Sequence, residues 1–287
     1  MALDHSLVGV ASDPVERTWR AGDVIVYALG VGAGAADPTE ELAFTTENTA
    51  GVELRVLPTF AVLAAQARTG RRLGDFDPAR LVHAEQAFEL HAPLPVDGRV
   101  QVVSTVTGIA DKGSGALVST ENTATDAETG KLLVTSRSGV FIRGEGGFGR
   151  SGPASDDWRL PERAPDEQVR YRTRPEQALL YRLSGDRNPL HSDPAFAARG
   201  GFDRPILHGL CTYGFTGRAL LHALCSSDSG GSDPDRFDAM SGRFTKPVLP
   251  GQELVVSIWG DGDGAALFRT ATDDGTVVID RGRVRFH

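Results

Sequence analysis

Cysteine is scarce in this sequence, with only Cys211 and Cys225 among 287 residues. If both lie on one helix, their separation of fourteen positions spans about 21 Å at about 1.5 Å per residue, which is too far for a disulfide bond. A chain without a disulfide framework fits a reducing compartment. The sequence therefore predicts a cytoplasmic protein, and its last residues, Arg285-Phe286-His287, are unlike a Ser-Lys-Leu type of peroxisomal signal.

Long apolar runs and an excess of basic charge are also missing. No apolar stretch approaches the roughly 20 residues that cross a bilayer, and the first residues lack the charged-then-apolar pattern of a secretory signal. The net charge of −8 argues against binding to nucleic acid or to an anionic membrane. With 40% hydrophobic and 24% charged residues, the sequence is typical of a folded globular protein.

Motifs for metals, nucleophiles and dinucleotides are absent as well. None of the seven histidines belongs to an HxH, HExxH or Cys/His cluster. There is no Gly-x-Ser-x-Gly sequence for a serine nucleophile. The glycine-rich run from Gly30 to Ala35 lacks the GxGxxG spacing of a dinucleotide-binding loop. The sequence thus predicts neither a metal nor an organic cofactor.

What the sequence does contain is a compact acid–base motif. Residues 181–191 read Tyr-Arg-Leu-Ser-Gly-Asp-Arg-Asn-Pro-Leu-His, which places Asp186 five positions before His191. The intervening Asn188-Pro189, like the preceding glycine, favours a tight turn over a regular helix. A carboxylate and an imidazole held on one turn are suited to moving a proton on and off carbon.

This run, with His208-Gly209 after it, resembles the signature of the (R)-specific enoyl-CoA hydratases, the hydratase 2 or MaoC-like dehydratase family. The direct match covers roughly residues 175–225, and a weaker similarity of organisation extends to the whole chain. The resemblance implies reversible addition of water to a trans-2-enoyl-CoA, which gives a (3R)-3-hydroxyacyl-CoA.

The resemblance also implies roles for four residues. Asp186 and His191 are expected to hold one water between them, and the sequence leaves open which is the base and which the acid. Asn188 is expected to hold the turn. Gly209, at the start of a predicted helix, is expected to offer a backbone N–H to the thioester oxygen, because the first N–H groups of a helix lack intrahelical partners.

Four more residues are predicted to bind substrate: Tyr181, His208, Arg243 and Lys246. Arg243 and Lys246 lie near a Pro-rich turn, where they could meet the phosphates of CoA or simply be a solvated strand end. His208 and Tyr181 have a simpler alternative explanation, helix capping or core packing.

The chain reads as two similar halves. The Gly-, Pro- and charge-rich stretch 144–167 predicts a linker between an N-terminal unit, 1–143, and a C-terminal unit, 168–287. Each half has an early Tyr-x-Leu, an apolar helix-like stretch, a strand and three closing strand-like runs, which are 99–109, 116–125, 131–143, 253–259, 265–271 and 277–286. This order predicts an α+β protein. The resemblance implies a double hotdog, in which two tandem units each wrap a long antiparallel sheet around a central helix.

The halves differ where the chemistry should be. After Tyr27-Ala-Leu29 the first half has no Asp-x-Asn-Pro-x-x-His turn, only Asp37-Pro38 at a different spacing. We therefore expect the first unit to be degenerate, with a shortened or shifted helix that opens room for a long acyl chain. The alternative is that it only covers the sheet edge of the second unit. In the second half, spacing predicts one buried helical stripe on which Gly214 and Gly217 approach a sheet.

Two other functions stay open at this stage. A thioesterase would direct water at the thioester carbonyl, and a non-catalytic subunit would bind acyl thioesters without turnover. The sequence does not distinguish CoA from an acyl-carrier protein, and it leaves the acyl chain length, the pathway of fatty acid metabolism and the choice between monomer and homodimer undecided.

Overall fold

The computed structural model describes residues 3–67, 72–77, 80–149, 157–226 and 231–287. Its strands are β1 (Val15–Trp19), β2 (Leu81–Leu90), β3 (Gly98–Asp111), β4 (Gly115–Asp126), β5 (Leu132–Arg143), β6 (Glu167–Arg172), β7 (Phe237–Phe244), β8 (Glu253–Gly260), β9 (Ala265–Thr272) and β10 (Val277–Phe286). Its α-helices are α1 (Ala21–Gly30), α2 (Leu42–Thr45), α3 (Ala61–Ala64), α4 (Gln177–Tyr181), α5 (Pro194–Arg199) and α6 (Gly209–Leu224).

The six closing strand-like runs of the sequence correspond to β3, β4, β5, β8, β9 and β10. Within each half, short Gly-containing turns separate consecutive strands of this set. Gly113 and Gly275 adopt φ values of +73° and +84°, which side chains with a Cβ rarely adopt. Within the described ranges these strands belong to one ten-stranded sheet of order β1-β3-β4-β5-β2-β7-β10-β9-β8-β6.

The pairing of β2 with β7 joins the two halves into that single sheet. The strands are antiparallel, with Glu85 opposite Arg243 and Glu89 opposite Ala239. The first half therefore does cover the sheet edge of the second. This pairing also brings the beginning of β2 beside the end of β7, a proximity that no local sequence pattern indicates.

Two edge strands are absent from the sequence prediction. β1 pairs with β3, and β6 pairs with β8. Both are short, and the alternating charged residues of β6 resemble a loop in composition. β6 begins at the last residue of the predicted linker. Residues 150–156 of that linker lie outside the described residues, as do residues 227–230.

Helix α6 is buried on every side. Each residue from Cys211 to Leu221 is buried, so the single buried stripe that the sequence predicts is too narrow. The reason is that the sheet encloses one side of the helix and segments of the first half enclose the other. Both cysteines are free and buried, and none of the helices in the described ranges has the length and apolar character needed to cross a membrane.

Gly214 and Gly217 of α6 contact the first half rather than only a sheet. A Cβ at Gly214 would overlap Cγ1 of Val31 and lie 2.9 Å from the Tyr27 hydroxyl. A Cβ at Gly217 would overlap Cγ2 of Thr59 and lie 3.3 Å from the sulfur of Met240 on β7. The predicted approach to a sheet therefore holds for Gly217 alone, and the absence of side chains lets the first half pack directly on the helix.

The central helix of the first half is short, as expected for a degenerate unit. It consists of a 3-10 turn over Pro58–Phe60 followed by α3. The aromatic rings around it pack edge to face, with Phe60 centred 5.5 Å from Tyr27 and 5.6 Å from Trp19.

A buried ion pair also ties α6 to the first half. The Nε of Arg218, whose side chain is only 4% exposed, lies 2.7 Å from Oε1 of Glu41. The same guanidinium donates to the Val31 carbonyl at 3.1 Å and lies 3.9 Å from the centre of the Tyr171 ring. Burial favours the neutral acid, but His222 and the Arg218 charge outweigh it and lower the pKa of Glu41 to about 2.

Substituting Gly214→Ala should reduce the free energy of unfolding by about 1–3 kcal/mol, because the new methyl group has no space against Val31. Gly22→Ala in α1 is the matched control, since a Cβ there has no atom within 4 Å and both changes gain similar helix propensity. Urea unfolding of the two variants measures the difference. Equal stabilities would contradict close packing between α6 and the first half.

Candidate active site

A turn between α4 and α5 carries Asp186 and His191. The 3-10 turn Arg182–Ser184 ends at Gly185, whose φ of +119° redirects the chain, and a second 3-10 turn covers Pro189–His191. Asn188 fixes this geometry twice. Its backbone N–H donates to Asp186 Oδ1 at 3.0 Å, and its side-chain oxygen accepts from the Leu190 N–H at 3.0 Å. Asn188 therefore holds the turn, and any catalytic role of its own stays a prediction.

The segment Ile206–Gly209, here called the strap, runs beside this turn and into α6. The Ile206 carbonyl accepts a hydrogen bond from Nδ1 of His191 at 2.9 Å. The Leu207 N–H donates to the Val248 carbonyl at 2.8 Å, which anchors the strap to the loop before β8. Nε2 of His208 lies 3.2 Å from the Asp186 carbonyl. The strap therefore contacts both chemical residues of the turn.

These contacts fix the tautomer of His191. A carbonyl only accepts hydrogen bonds, so Nδ1 carries the proton and Nε2 has the free lone pair. Burial lowers the pKa of His191, while the Ile206 carbonyl and the Asp186 charge oppose that effect. His191 is thus a neutral imidazole near neutral pH, ready to accept a proton at Nε2.

His208 is buried between His191 and Tyr181. Its ring stacks on His191 with centroids 3.7 Å apart and planes 28° apart, and it lies 5.0 Å from the Tyr181 ring. Burial, and then the proximity of His191, lower the pKa of His208 to about 3. Its side chain makes no helix-capping bond. Of the two simpler roles considered from sequence, packing fits the geometry and capping does not.

The three titratable side chains form one tight cluster. One carboxylate oxygen of Asp186 and one ring nitrogen from each of His191 and His208 lie within 4.8 Å of one another. Two hydrogen bonds of about 2.8 Å can span that separation, so a single water can contact both Asp186 and His191. The same set of groups suits a metal by composition but not by geometry, because stacked imidazoles direct their lone pairs side by side and a metal must lie in the plane of each ring.

Gly209 is the first residue of α6 and follows the strap directly. The first helical hydrogen bonds come from Cys211 and Thr212, whose N–H groups donate to the His208 carbonyl at 3.1 and 3.2 Å. The N–H of Gly209 precedes them and is a donor of the kind that accumulates positive potential at a helix start. A Cβ on Gly209 would lie 3.4 Å from the Phe244 ring, so this glycine keeps the space between the helix start and β7 open.

One site residue has no counterpart in the sequence prediction. His83 on β2 belongs to the first half, yet its ring lies 5.0 Å from that of Phe244, and its Nε2 donates to the Glu85 carbonyl at 3.0 Å. Burial lowers the pKa of His83, and the neighbouring Asp186 charge is among the effects that oppose it. No motif surrounds His83, so only the pairing of β2 with β7 reveals its position.

The structure places the other predicted substrate contacts at different depths. Tyr181 is 2% exposed and lies in the core behind His208. Arg243 lies on β7 with Nη2 2.7 Å from Oε1 of Glu85. Lys246 is exposed just beyond the end of β7. Contacts between these residues and a substrate stay predictions.

A cavity of about 340 Å³ lies at the far end of β2, away from this cluster. Its lining comes from both halves and includes Leu54, Pro58, Leu90 and Pro234. His83 and Leu90 are seven positions apart on β2, which corresponds to about 23 Å at about 3.3 Å per residue. The cavity is therefore not the place where Asp186 and His191 act.

Two known families match consecutive parts of the chain. The family described as the MFE-2 hydratase 2 N-terminal domain matches residues 18–144, and the MaoC-like domain family matches residues 158–280. The 3-hydroxyacyl-thioester dehydratase Y of Mycobacterium tuberculosis is 45% identical over 100% of this chain and 99% of its own. The chain belongs to the MaoC-like hydratase 2 family.

Other members of the MaoC-like hydratase 2 family agree in sequence and fold. Enoyl-CoA hydratase 2, peroxisomal, of Arabidopsis thaliana is 39% identical over 85% of this chain and 83% of its own. The structure of a MaoC-like dehydratase from Phytophthora capsici is 32% identical, with a TM-score of 0.83 over 96% of each chain. A Mycobacterium tuberculosis protein with a double hotdog fold, 16% identical over 96% of this chain and 95% of its own with a TM-score of 0.56, shows the fold alone. The predicted family and the predicted α+β double hotdog fold are confirmed.

The buried imidazoles should make folding sensitive to mild acid. The pKa values of His191 and His208 lie below their ordinary 6.5 in the folded chain, so below pH 6.5 the unfolded chain binds more protons and stability falls. We expect the free energy of unfolding to drop by on the order of 1–2 kcal/mol between pH 7 and pH 5. The drop should be smaller in His208→Gln than in the wild-type protein, and urea unfolding at pH 7 and pH 5 measures it. An equal drop in the two proteins would contradict a lowered pKa of His208 in the folded chain.

Proposed function

We propose that this protein hydrates trans-2-enoyl-CoA reversibly to (3R)-3-hydroxyacyl-CoA, as a hydro-lyase of the hydratase 2 type. The observation that carries the proposal is the Asp186–His191 pair, whose carboxylate oxygen and ring nitrogen lie within 4.8 Å of each other beside a helix start. The names of the enoyl-CoA hydratase and dehydratase relatives support the same reaction.

The tautomer of His191 supports a base role for this residue in hydration. Nε2 of His191 accepts one proton of the bridging water while the water oxygen bonds to C3 of the substrate. Asp186 accepts a hydrogen bond from the same water and orients it. The Asp186–His191 pair then returns one proton to C2, so that the product gains one water in total and His191 is neutral again.

The start of α6 would stabilise the charge that develops during the reaction. As C3 is attacked, the electrons of the double bond move toward the thioester oxygen, which becomes enolate-like. We propose that the N–H of Gly209 donates to that oxygen, since the helix dipole favours negative charge at the helix start. The strap ends at Gly209 and hydrogen-bonds to both His191 and Asp186. The proposed oxyanion donor and the acid–base pair are therefore held by the same segment.

The carrier and the remaining assignments are proposals of the same kind. We propose acyl-CoA as the substrate, with Arg243 and Lys246 near its phosphates. Residues 168–287 carry the catalytic turn, residues 1–143 complete its surroundings, and 144–167 link the two units. The short helix of the first half and the cavity beside Pro58 support room for the far end of a long acyl chain. A cytoplasmic location is proposed from sequence, although several relatives are named peroxisomal, and the choice between monomer and homodimer stays open.

Removing either chemical group should abolish hydration. Asp186→Asn and His191→Ala are each expected to lower kcat by about 10²–10⁴-fold, the usual contribution of a positioned acid or base. The assay follows loss of enoyl-thioester absorbance with crotonyl-CoA and with a longer trans-2-enoyl-CoA, with chiral analysis of the product.

Asp193→Asn is the matched control, because Asp193 lies on the next turn of chain and caps α5 through its side chain, which asparagine can also do. A wild-type protein that released free thiol would instead be a thioesterase. Full activity in Asp186→Asn or His191→Ala would remove that residue from the mechanism.

Adding one methyl group at Gly209 should lower the activity without lowering the stability. The new Cβ in Gly209→Ala would lie at ordinary contact distance from Phe244, and alanine favours helix over glycine by up to about 1 kcal/mol. We expect unchanged or slightly higher stability together with a loss of about 10-fold or more in kcat/KM, because the methyl group narrows the approach to the helix start. Unchanged kcat/KM would argue against an oxyanion contact at this position.

A further inference from the structure

His208 contacts both members of the proposed catalytic pair, Asp186 and His191. Its Nε2 lies 3.2 Å from the Asp186 carbonyl, which can only accept, so Nε2 is the protonated nitrogen. Its ring covers one face of His191 at a centroid distance of 3.7 Å. The residue as a whole is 1% exposed. The side chain is therefore a spacer between two groups that lie five positions apart on a turn with little regular structure.

We propose that His208 is a positioning residue that fixes Asp186 by its hydrogen bond and excludes water from one face of His191 by stacking. The inference rests on the proposed hydratase function and refines it. The two contacts act on different groups and so have separable consequences. The hydrogen bond holds the backbone of Asp186, from which its carboxylate projects, and the stacked ring shields one face of His191 from solvent.

Direct proton transfer by His208 does not fit its surroundings. Nδ1 is buried and has no hydrogen-bond partner among the described residues, so no proton path leads from it. The groups that face the two rings are His191, Asp186, Arg182 and the Tyr181 phenol. Among them only Asp186 favours a positive charge on His208, and burial outweighs it, which keeps this ring neutral while His191 exchanges protons.

Two substitutions separate the contacts. His208→Gln keeps a side-chain N–H that can reach the Asp186 carbonyl but removes the stacked ring. His208→Phe keeps a ring over His191 but removes the donor, and His208→Met is a second donor-free variant with less strain. The measurements are kcat and KM for crotonyl-CoA hydration, the pH dependence of kcat/KM, and ¹⁵N NMR titration of the His191 ring without substrate. His222→Gln, at the other end of α6, is the control for loss of a histidine from this helix.

His208→Phe and His208→Gln should impair catalysis in different ways. In His208→Phe we expect kcat to fall by about 10–100-fold with KM changed little, because small displacements of a catalytic group cost about that much, while the acid limb of the pH profile stays in place. In His208→Gln we expect near-normal kcat at high pH and an acid limb moved upward by about 0.5 unit or more, because water reaches His191 and its pKa rises. NMR should show the same rise.

Other outcomes would overturn the inference. Equal losses in Phe and Gln variants that follow their unfolding temperatures would make His208 a packing residue only. Normal kinetics and an unmoved His191 titration in both would remove it from the site altogether. If the wild-type protein does not hydrate enoyl-CoA, the proposed function fails, and the NMR titration still decides whether His208 shields His191.

Discussion

The enclosure of α6 on all sides is the constraint from which the remaining structure follows. A helix buried throughout its middle cannot be covered by one sheet face alone, so a second layer must come from the first half of the chain. Gly214 and Gly217 let that layer approach closely, and the buried Arg218 finds its carboxylate in the same layer at Glu41. The position of the helix start, and with it the site, is therefore set by both halves together.

At that helix start, backbone groups do most of the positioning and side chains do the chemistry. The strap uses a carbonyl of Ile206 to select the tautomer of His191 and a backbone N–H of Leu207 to anchor itself. Ile206 and Leu207 have no reactive groups, yet the orientation of the His191 ring depends on them. A short extended segment leading into a helix can in this way align an imidazole, a carboxylate and a backbone donor with few degrees of freedom.

The features that the sequence predicts best are those determined by residues close together in the chain. The turn around Asp186, the glycine turns and the closing strands follow from local propensities, and strand β4 at Gly115–Asp126 differs from its prediction by one residue at each end. Contacts between residues far apart in the sequence cannot be predicted from local propensities. Periodicity indicates that a helix face is buried but not which residues bury it, so the contact of Gly214 with Val31 is known only from the tertiary packing. The position of His83 beside Phe244 follows only from the sheet order. The short edge strand β6 was not predicted from the sequence, because its exposed charged residues give it the composition of a loop.

The seam between β2 and β7 has a consequence for how the protein responds to dilution. Two separate units that pair through such strands assemble only at sufficient protein concentration. Two units on one chain pair at an effective concentration that is set by the linker between them. The neighbourhood of His83 and Phe244 is thus formed once per molecule, whatever the amount of protein present. Covalent tandem arrangement also frees one unit from keeping the reactive turn, since every molecule already contains one copy of each specialised half.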